Sequence, residues 1–392
     1  MRDIGDMTYS RERPRRVVSF IAVLNTWPSY VLEKKPTVKE WQVLVKMHES
    51  FILTRTQESN ENSHTSRIVR RKEPKSFQIH AREIWSVAFL VDGNHIVGGG
   101  ADQKIGRWRV EDGREVEMPI MGARSAVRGI AVSQDGRCVV SGTSHGVVTV
   151  WNAKTREKVS EFKARSQGEV VSVCAIDVSP GSTRIATGSE DGTVHVWSLD
   201  TGEQLLGPLQ HDYPVVGVKF SPKGRLIATA TQWGSNSVRV YNSQNGRLVV
   251  DFPVRVNSLR NHSLAWARDN KQLFALSCDG NISSLDVSTG ITLSHWPIQG
   301  SNDPRCISLA SNGAFIAASG STSVSFWDTT THKKIGSLVQ HPDIVECMAI
   351  SANYDIVVGG GQTITLRSLS DILPPAYCKD VSAPVSEAGP MC

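Results

Sequence analysis

The stretch Ala186-Thr187-Gly188-Ser189-Glu190-Asp191-Gly192-Thr193-Val194-His195-Val196-Trp197 contains two apolar runs separated by a turn. Asp-Gly between alternating apolar runs is the strongest short-range signal for a β-hairpin. The two valines after the turn alternate with His195 and Trp197, and a period of two is typical of a half-buried strand. The sequence therefore predicts a hairpin over residues 186–197, with His195 on the opposite side of its strand from Val194 and Val196.

The same pattern returns along most of the chain of 392 residues. Each copy has an apolar strand, a turn, an Ile/Val-rich strand ending in small residues, a second turn and a third strand. The third strands end, at spacings of 43, 46, 44, 44, 42 and 40 residues, at Trp108, Trp151, Trp197, Tyr241, Leu285, Trp327 and Arg367. A fixed period of this length with several short strands indicates the blade of a β-propeller.

These seven copies resemble the WD40-repeat family over residues 74–370, and their style is similar to the WD40 arrays of fungal NACHT-type receptors. The resemblance implies an all-β fold, a seven-bladed propeller with four antiparallel strands in each blade. We place the blades at residues 80–120, 121–163, 164–208, 209–252, 253–297, 298–338 and 339–370. The last of these copies is short, because Pro374-Pro375 follows its third strand and cannot form a strand with ladder hydrogen bonds.

Segments outside the copies have different roles. Lys75–Ile79 reads as a lone fourth strand, and WD40 rings close with such an N-terminal strand, so we expect it to pair with Thr363–Leu366. Residues 1–73 read as a basic, largely irregular leader, although a short amphipathic helix around Trp41 is an alternative. Residues 371–392 are rich in Pro, Ser and Ala, so we expect a disordered tail.

Charge is distributed unevenly between the leader and the repeats. Residues 1–79 hold 15 Lys/Arg and 9 Asp/Glu, whereas residues 80–392 hold 28 and 29. A nearly neutral body disfavours a nucleic-acid groove there, because phosphate binding needs clustered cations. Seven scattered cysteines without a Cys-x-x-Cys pair favour reduced thiols, hence a cytoplasmic or nuclear location. We expect no membrane span and no cofactor.

Polar residues inside the blades have structural roles by the resemblance, in which His, Ser/Thr, Asp and Trp form a hydrogen-bonded set. Buried polar groups need such partners. No copy retains the full set, so packing should hold most blades. Asp191 should accept a hydrogen bond from Trp197 or from the nearby turn. The residues in these positions are His80, Asp102, Trp108, Trp151, Thr187, Asp191, Trp197, His211, Tyr241, Asp279, Trp327 and His341.

Catalytic motifs are weak in this sequence. Each His–Asp pair should lie inside its own blade, away from a shared cleft, which argues against an enzyme. Gly98–Gly100 and Gly359–Gly361 are not followed by Lys-Ser/Thr or a helical pattern, as a phosphate loop requires. These glycines are better explained as strand ends where neighbouring backbones come close.

Partners of WD40 proteins usually bind the face where the innermost strands enter the central channel. An alignment of the first strands puts one residue of each copy there: Trp85, Arg128, Cys174, Val216, His262, Arg305 and Glu346. Trp and Arg are enriched at interface hot spots. Trp85, Arg128 and Arg305 suit an acidic or aromatic-rich peptide, although ordinary solvated strand ends are an alternative. Trp233, in a lengthened turn, is either packed under its loop or a second contact.

The function that this sequence favours is a non-catalytic scaffold for protein–protein interactions. One alternative is the substrate receptor of a ubiquitin ligase, but Trp327-Asp328-Thr329-Thr330 lacks the Arg of the usual Trp-Asp-x-Arg motif. A second alternative is binding of nucleic acid or chromatin through the basic residues of segment 1–72. The identity of a protein partner is not encoded in any motif.

Overall fold

The structure is a computed structural model that describes residues 75–78, 82–116, 123–166, 169–256, 263–277, 279–298, 307–309 and 313–378. The predicted copies form separate antiparallel sheets. Blade 1 contains β2 (Ile84–Phe89), β3 (His95–Gly100) and β4 (Ile105–Arg109). Blade 2 contains β5 (Val127–Val132), β6 (Cys138–Thr143), β7 (Val147–Asn152) and β8 (Lys158–Lys163). Blade 3 contains β11 (Val173–Val178), β12 (Arg184–Ser189), β13 (Thr193–Ser198) and β14 (Gln204–Gln210). Between blades 2 and 3, β9 (Arg165–Ser166) and β10 (Glu169–Val170) form a small hairpin.

Blades 4 to 7 follow the same plan. They contain β15 (Val215–Phe220), β16 (Leu226–Thr231), β17 (Val238–Asn242), β18 (Leu248–Phe252); β19 (Leu264–Trp266), β20 (Gln272–Leu276), β21 (Asn281–Asp286), β22 (Ile291–Pro297); β23 (Ile307–Leu309), β24 (Phe315–Ser319), β25 (Ser323–Asp328), β26 (Lys334–Gln340); and β27 (Cys347–Ile350), β28 (Asp355–Gly360), β29 (Thr363–Ser368). The strands of each blade pair in chain order.

The first strands of the blades surround a common axis. Each of β2, β5, β11, β15, β19, β23 and β27 contacts the first strand of the next blade, and β27 contacts β2. The chain therefore forms a closed, seven-bladed β-propeller, as the repeat predicted. In blade 1 the described residues show three strands, with a further bridge from Trp108 to Glu115.

An N-terminal strand closes the ring. β1 (Lys75–Gln78) pairs antiparallel with β29, so that Lys75 lies opposite Leu366 and Gln78 lies opposite Thr363. β29 thus has a neighbour on both sides, and blade 7 has four strands although its own copy supplies three. The predicted closure is confirmed for these four residues, while Ile79 lies outside the described residues.

Apolar clusters hold adjacent blades together. Each blade interface has one, including the interface between blades 7 and 1, where Ile84 and Val87 meet Val357 and Leu366. A buried aliphatic side chain contributes roughly 1.5–3 kcal/mol, and a hydrogen bond contributes about 1 kcal/mol net. Because these clusters contain many such side chains, packing between blades dominates the stability of the ring.

Glycines at the ends of the second strands make this close packing possible. A Cβ atom on Gly142 would lie 2.6 Å from Val173 Cγ1, and one on Gly188 would lie 2.6 Å from Val215 Cγ1 of the following blade. A Cβ atom on Gly100 would collide with the carbonyl oxygen of Glu83. The glycine runs at 98–100 and 359–360 are therefore strand residues in tight contact with their neighbours.

Hydrogen bonds inside the blades involve only some of the polar positions that the family resemblance predicts. The indole N–H groups of Trp151 and Trp197 donate to Ser141 Oγ at 3.0 Å and Thr187 Oγ1 at 2.9 Å. Asp191 accepts from the backbone N–H and hydroxyl of Thr193. Of the two roles expected for Asp191, the structure therefore shows the one in the turn. The indole N–H of Trp197 bonds Thr187 instead.

Blade 4 keeps a longer polar chain through His211. Its Nε2 lies 2.9 Å from Thr229 Oγ1 and 3.3 Å from the hydroxyl of Tyr241, and its ring is buried. In blade 7, Nε2 of His341 lies 3.2 Å from the carbonyl oxygen of Thr363 instead. These histidines connect the loop before a first strand to the strands behind it.

The remaining structural positions vary among the blades. Trp108 is buried, and Asp102 accepts a hydrogen bond from the N–H of Lys104. Trp327 donates to Ser325 Oγ at 2.9 Å, which lies two residues away on its own strand. Asp279 is exposed in the turn before β21, and His80 lies outside the described residues.

The segment after β29 differs from the expectation of a disordered tail. Short 3-10 helices cover Leu369–Asp371 and Pro375–Cys378, and Leu373 is buried against blades 6 and 7. The hydroxyl of Tyr377 donates to Asp328 Oδ2 at 2.8 Å. The prediction was wrong for residues 371–378, because the prolines exclude a strand but allow a 3-10 turn that buries apolar side chains.

Proline scanning of β1 tests the closure. β1 pairs on one side only, so consecutive residues alternate between an N–H that bonds β29 and one that points away. Of Ser76→Pro and Phe77→Pro, we expect one to lower the free energy of unfolding by about 1–3 kcal/mol and the other to have a smaller effect, in denaturant titrations of the full chain. Equal, negligible effects of both substitutions would contradict closure by β1.

The His211 chain predicts a pH dependence of stability. Burial, followed by the charge of Arg239, lowers the pKa of His211 from 6.5 to about 4. The unfolded chain therefore binds a proton near pH 5 that the folded chain does not, and stability falls as the pH drops from 7 towards 4. For this residue the loss between pH 7.5 and pH 5 should be about 2 kcal/mol.

The measurement compares denaturant midpoints at the two pH values for the wild type and His211→Asn. The variant is expected to be less stable at pH 7.5 but to lose less stability on acidification. His145→Asn serves as the control, because His145 is exposed and its replacement should leave the pH dependence unchanged. An unaltered pH dependence in His211→Asn would refute the assignment.

Candidate functional site

Four of the predicted rim residues lie at irregularities of the innermost strands. The pairing between first and second strands shifts register at Trp85, Arg128, Cys174 and Val216, each the second residue of its strand. A β-bulge leaves one residue out of the ladder and redirects its side chain. Glu346 directly precedes β27, and its N–H donates to the carbonyl oxygen of Gly359 at 2.9 Å.

We call the edge of the ring where the first strands begin the channel face. It also contains the turns between second and third strands, since Val215 at the start of β15 pairs with Thr231 at the end of β16. The loops that precede the first strands lie at the same edge. Residues far apart in the chain therefore share this surface.

The rim residues differ in exposure. Trp85 and Arg128 are half-buried, whereas Cys174, Val216 and Glu346 are buried, with 5%, 2% and 7% of their surface exposed. Burial leaves these three little surface for a partner, so they do not serve as anchors in the site that we consider below. The predictions for His262 and Arg305 lie outside the described residues, and partner binding by the rim stays a prediction.

Trp85 and Arg128 form a pair across the junction of blades 1 and 2. The guanidinium carbon of Arg128 lies 5.7 Å from the centroid of the Trp85 ring, within the range of a cation–π interaction. The indole N–H of Trp85 donates to Glu83 Oε2 at 3.1 Å. Between the same two blades, the N–H of Ile130 donates to the buried Ser86 Oγ at 3.0 Å, which fixes the two blades relative to each other.

The surroundings of this pair are basic. Arg82, Lys104 and Arg124 are exposed on the channel face of blades 1 and 2, and with Arg128 we call them the basic sector. Among the described residues, the acidic ones at the same edges are Glu83 and Asp102. A cleft of about 680 Å³ adjoins the sector at the junction with blade 7, where Arg82, Glu83 and Asp343 line it.

Trp233 lies on the channel face of blade 4. Its side chain is 53% exposed, and it contacts the ring of Tyr213 edge to face with centroids 6.5 Å apart. Of the two readings of Trp233, this exposure favours a contact point over packing under the loop. Tyr213 was missed by sequence reasoning, because nothing in the sequence relates an aromatic residue in one loop to a turn twenty residues later.

His195, in the hairpin over residues 186–197, is buried inside its blade. His195 packs beside Trp197, with ring centroids 5.5 Å apart, and burial lowers the pKa of its imidazole. Val194 and Val196 face the cluster shared with blade 4, so His195 lies on the other side of the strand, as predicted. Among the described residues, no three His, Cys, Asp or Glu side chains are grouped as a metal site would require, and no helix is long and apolar enough to span a bilayer.

Comparisons with known proteins agree with this architecture. A family model described as WD domain, G-beta repeat matches residues 71–109, and one described as Vps8 beta-propeller matches residues 121–243. WD repeat-containing protein SL1-17 of Schistosoma mansoni is 31% identical over 44% of this chain and 55% of its own length.

Two further relatives are much longer than the region they share. Protein groucho of Drosophila melanogaster is 28% identical over 38% of this chain and 20% of its own length, and human Striatin-4 is 24% identical over 40% and 22%. The chain therefore matches about half the length of the first relative and about a fifth of the other two. With seven blades, the terminal closing strand and these matches, the chain belongs to the WD40-repeat family of β-propellers.

Proposed function

We propose that this protein is a non-catalytic interaction scaffold that binds a partner segment on its channel face, with Trp85 and Arg128 as anchors. The WD40 propeller is in general a non-catalytic scaffold, and its members bind other proteins. The observation that carries the finer proposal is the Arg128 guanidinium over the Trp85 ring. The two side chains come from equivalent bulges in the first strands of two neighbouring blades.

The chemistry of this pair favours an acidic or aromatic partner segment. Stacking on Trp85 preorganises the guanidinium of Arg128, so less side-chain entropy is lost when it binds a carboxylate. The exposed cations of the basic sector attract an acidic segment and speed its association. Trp and Arg are also the residue types that most often dominate interface energetics.

The other candidate functions have less support. In the Trp327-Asp328 pair, the carboxylate of Asp328 accepts hydrogen bonds from Tyr377 and from the backbone of Thr330, so it is engaged within the chain. This, together with the missing Arg, weakens the case for a ubiquitin-ligase substrate receptor. Binding of nucleic acid depends on the basic segment 1–72, which lies outside the described residues.

Alanine substitution tests the anchors. Trp85→Ala and Arg128→Ala should each weaken binding of the principal captured partner at least tenfold, because a hot-spot truncation costs about 2 kcal/mol or more. The assay is affinity capture by the full chain with mass spectrometry, followed by titration of the strongest captured protein. Thermal unfolding confirms that the variants stay folded.

Arg247→Ala provides the matched control. Arg247 is an exposed arginine in the turn between β17 and β18, at the opposite edge of the ring from the channel face. The control should capture the same proteins as the wild type. If both anchor variants also bind them with wild-type affinity, the proposed site is wrong.

A further inference from the structure

Tyr213 and Trp233 form an exposed aromatic corner on blade 4. Their side chains are 43% and 53% exposed, and their ring planes meet at 83° with centroids 6.5 Å apart. Tyr213 lies in the loop before β15, and Trp233 lies in the turn between β16 and β17. Large aromatic groups are seldom left in solvent as a pair unless the surface serves an interaction.

The corner is held in place by its own loop. The carbonyl oxygen of Trp233 accepts hydrogen bonds from Thr231 Oγ1 at 2.9 Å and Ser237 Oγ at 3.1 Å. Gly234 has a φ of +103°, and a Cβ atom there would lie 3.0 Å from Tyr213 Cε2. The backbone of the turn is thus packed directly against the tyrosine ring, which preorganises the corner.

Two acidic residues lie on the loop of Tyr213 and on the neighbouring turn of blade 3. Asp212 precedes Tyr213, and its side chain is 81% exposed, with Arg239 Nη2 at 3.4 Å. Glu190 is exposed in the turn of blade 3 that contacts the same loop, where the N–H of His211 donates to the carbonyl oxygen of Gly192 at 2.8 Å. Arg239 is mostly covered and pairs with Asp212, so the charge of Glu190 is left beside this loop without being offset by that pair.

We propose that the aromatic corner of Tyr213 and Trp233 binds a cationic side chain, a lysine or arginine, of a protein segment lying on the channel face. The faces of Trp and Tyr carry negative electrostatic potential and attract cations. Asp212 and Glu190 add to this potential and disfavour an anion. The inference rests on the proposed function for its biological setting, because the scaffold supplies the partner segment.

The same geometry accommodates an uncharged apolar side chain, and the test must separate the two. An apolar occupant would gain from contact with the rings but nothing from Asp212 and Glu190. A cation gains from both, so its binding should weaken as salt is added. Comparison of lysine with norleucine, which keeps the four-carbon chain of lysine but lacks its ammonium group, therefore decides between them.

The experiment follows the indole N–H signal of Trp233 by NMR in the full chain labelled with ¹⁵N-tryptophan. Trp233→Phe assigns the signal by its disappearance. The probes are the peptide acetyl-Gly-Ser-Lys-Ser-Gly-amide and its analogue with norleucine at the central position. The lysine peptide should shift the signal at a concentration about two- to fivefold lower, as expected for an exposed cation–π contact.

Two variants test the carboxylates. Glu190→Gln combined with Asp212→Asn should remove the preference for lysine, whereas Glu203→Gln, an exposed carboxylate at the opposite edge of blade 3, should retain it. Equal responses to both peptides, or no response to either, would overturn the inference. This measurement does not involve Trp85 or Arg128, so failure of the anchor variants would refute the proposed function and leave this site standing.

Discussion

The pairing of β1 with β29 is the interaction on which the architecture depends. Each blade buries both faces only because it has two neighbours. Blade 7, where the ring closes against blade 1, is built from strands at both ends of the repeat region. Without β1, the backbone groups of β29 on that side and the apolar residues beneath them would lose their cover. Closure therefore turns seven weak local units into one cooperative structure.

Apolar packing contributes more to the stability of the ring than polar contacts do. The apolar clusters recur at every interface, whereas the hydrogen-bonded set of the family survives in pieces: Trp151 with Ser141, Trp197 with Thr187, and His211 with Thr229 and Tyr241. Each of these bonds satisfies a buried polar group that would otherwise be costly. The blades hold together without the rest of the set because packing between blades supplies most of their stability.

The ring could be predicted from the sequence because its determinants are local and repeated. Turn residues, strand alternation and the aligned strand ends such as Trp151 and Trp197 all lie within one copy, and Pro374-Pro375 indicated that the fourth strand had to come from elsewhere. The exposure of the rim residues could not be predicted in the same way. Cys174 and Trp85 occupy equivalent bulges, yet their burial depends on side chains from neighbouring blades.

The candidate site could be predicted from the sequence only to a similar extent. Alignment placed Trp85 and Arg128 at equivalent positions, but their stacking depends on the angle between two blades, which no single copy encodes. The structured segment 371–378 was missed for the same reason, because the contact from Tyr377 to Asp328 spans 49 residues and two blades. Long-range contacts of this kind leave no periodic signal in the sequence.

The uneven distribution of charge on the channel face has one more consequence. A propeller built from similar blades is close to rotationally symmetric, and such a ring offers an incoming polypeptide no preferred polarity. Here the basic sector occupies blades 1 and 2, while the aromatic corner and its carboxylates occupy blades 3 and 4. If the two proposals hold, a chain laid from one to the other meets opposite charges at its two ends, and the ring then distinguishes a sequence from its reverse.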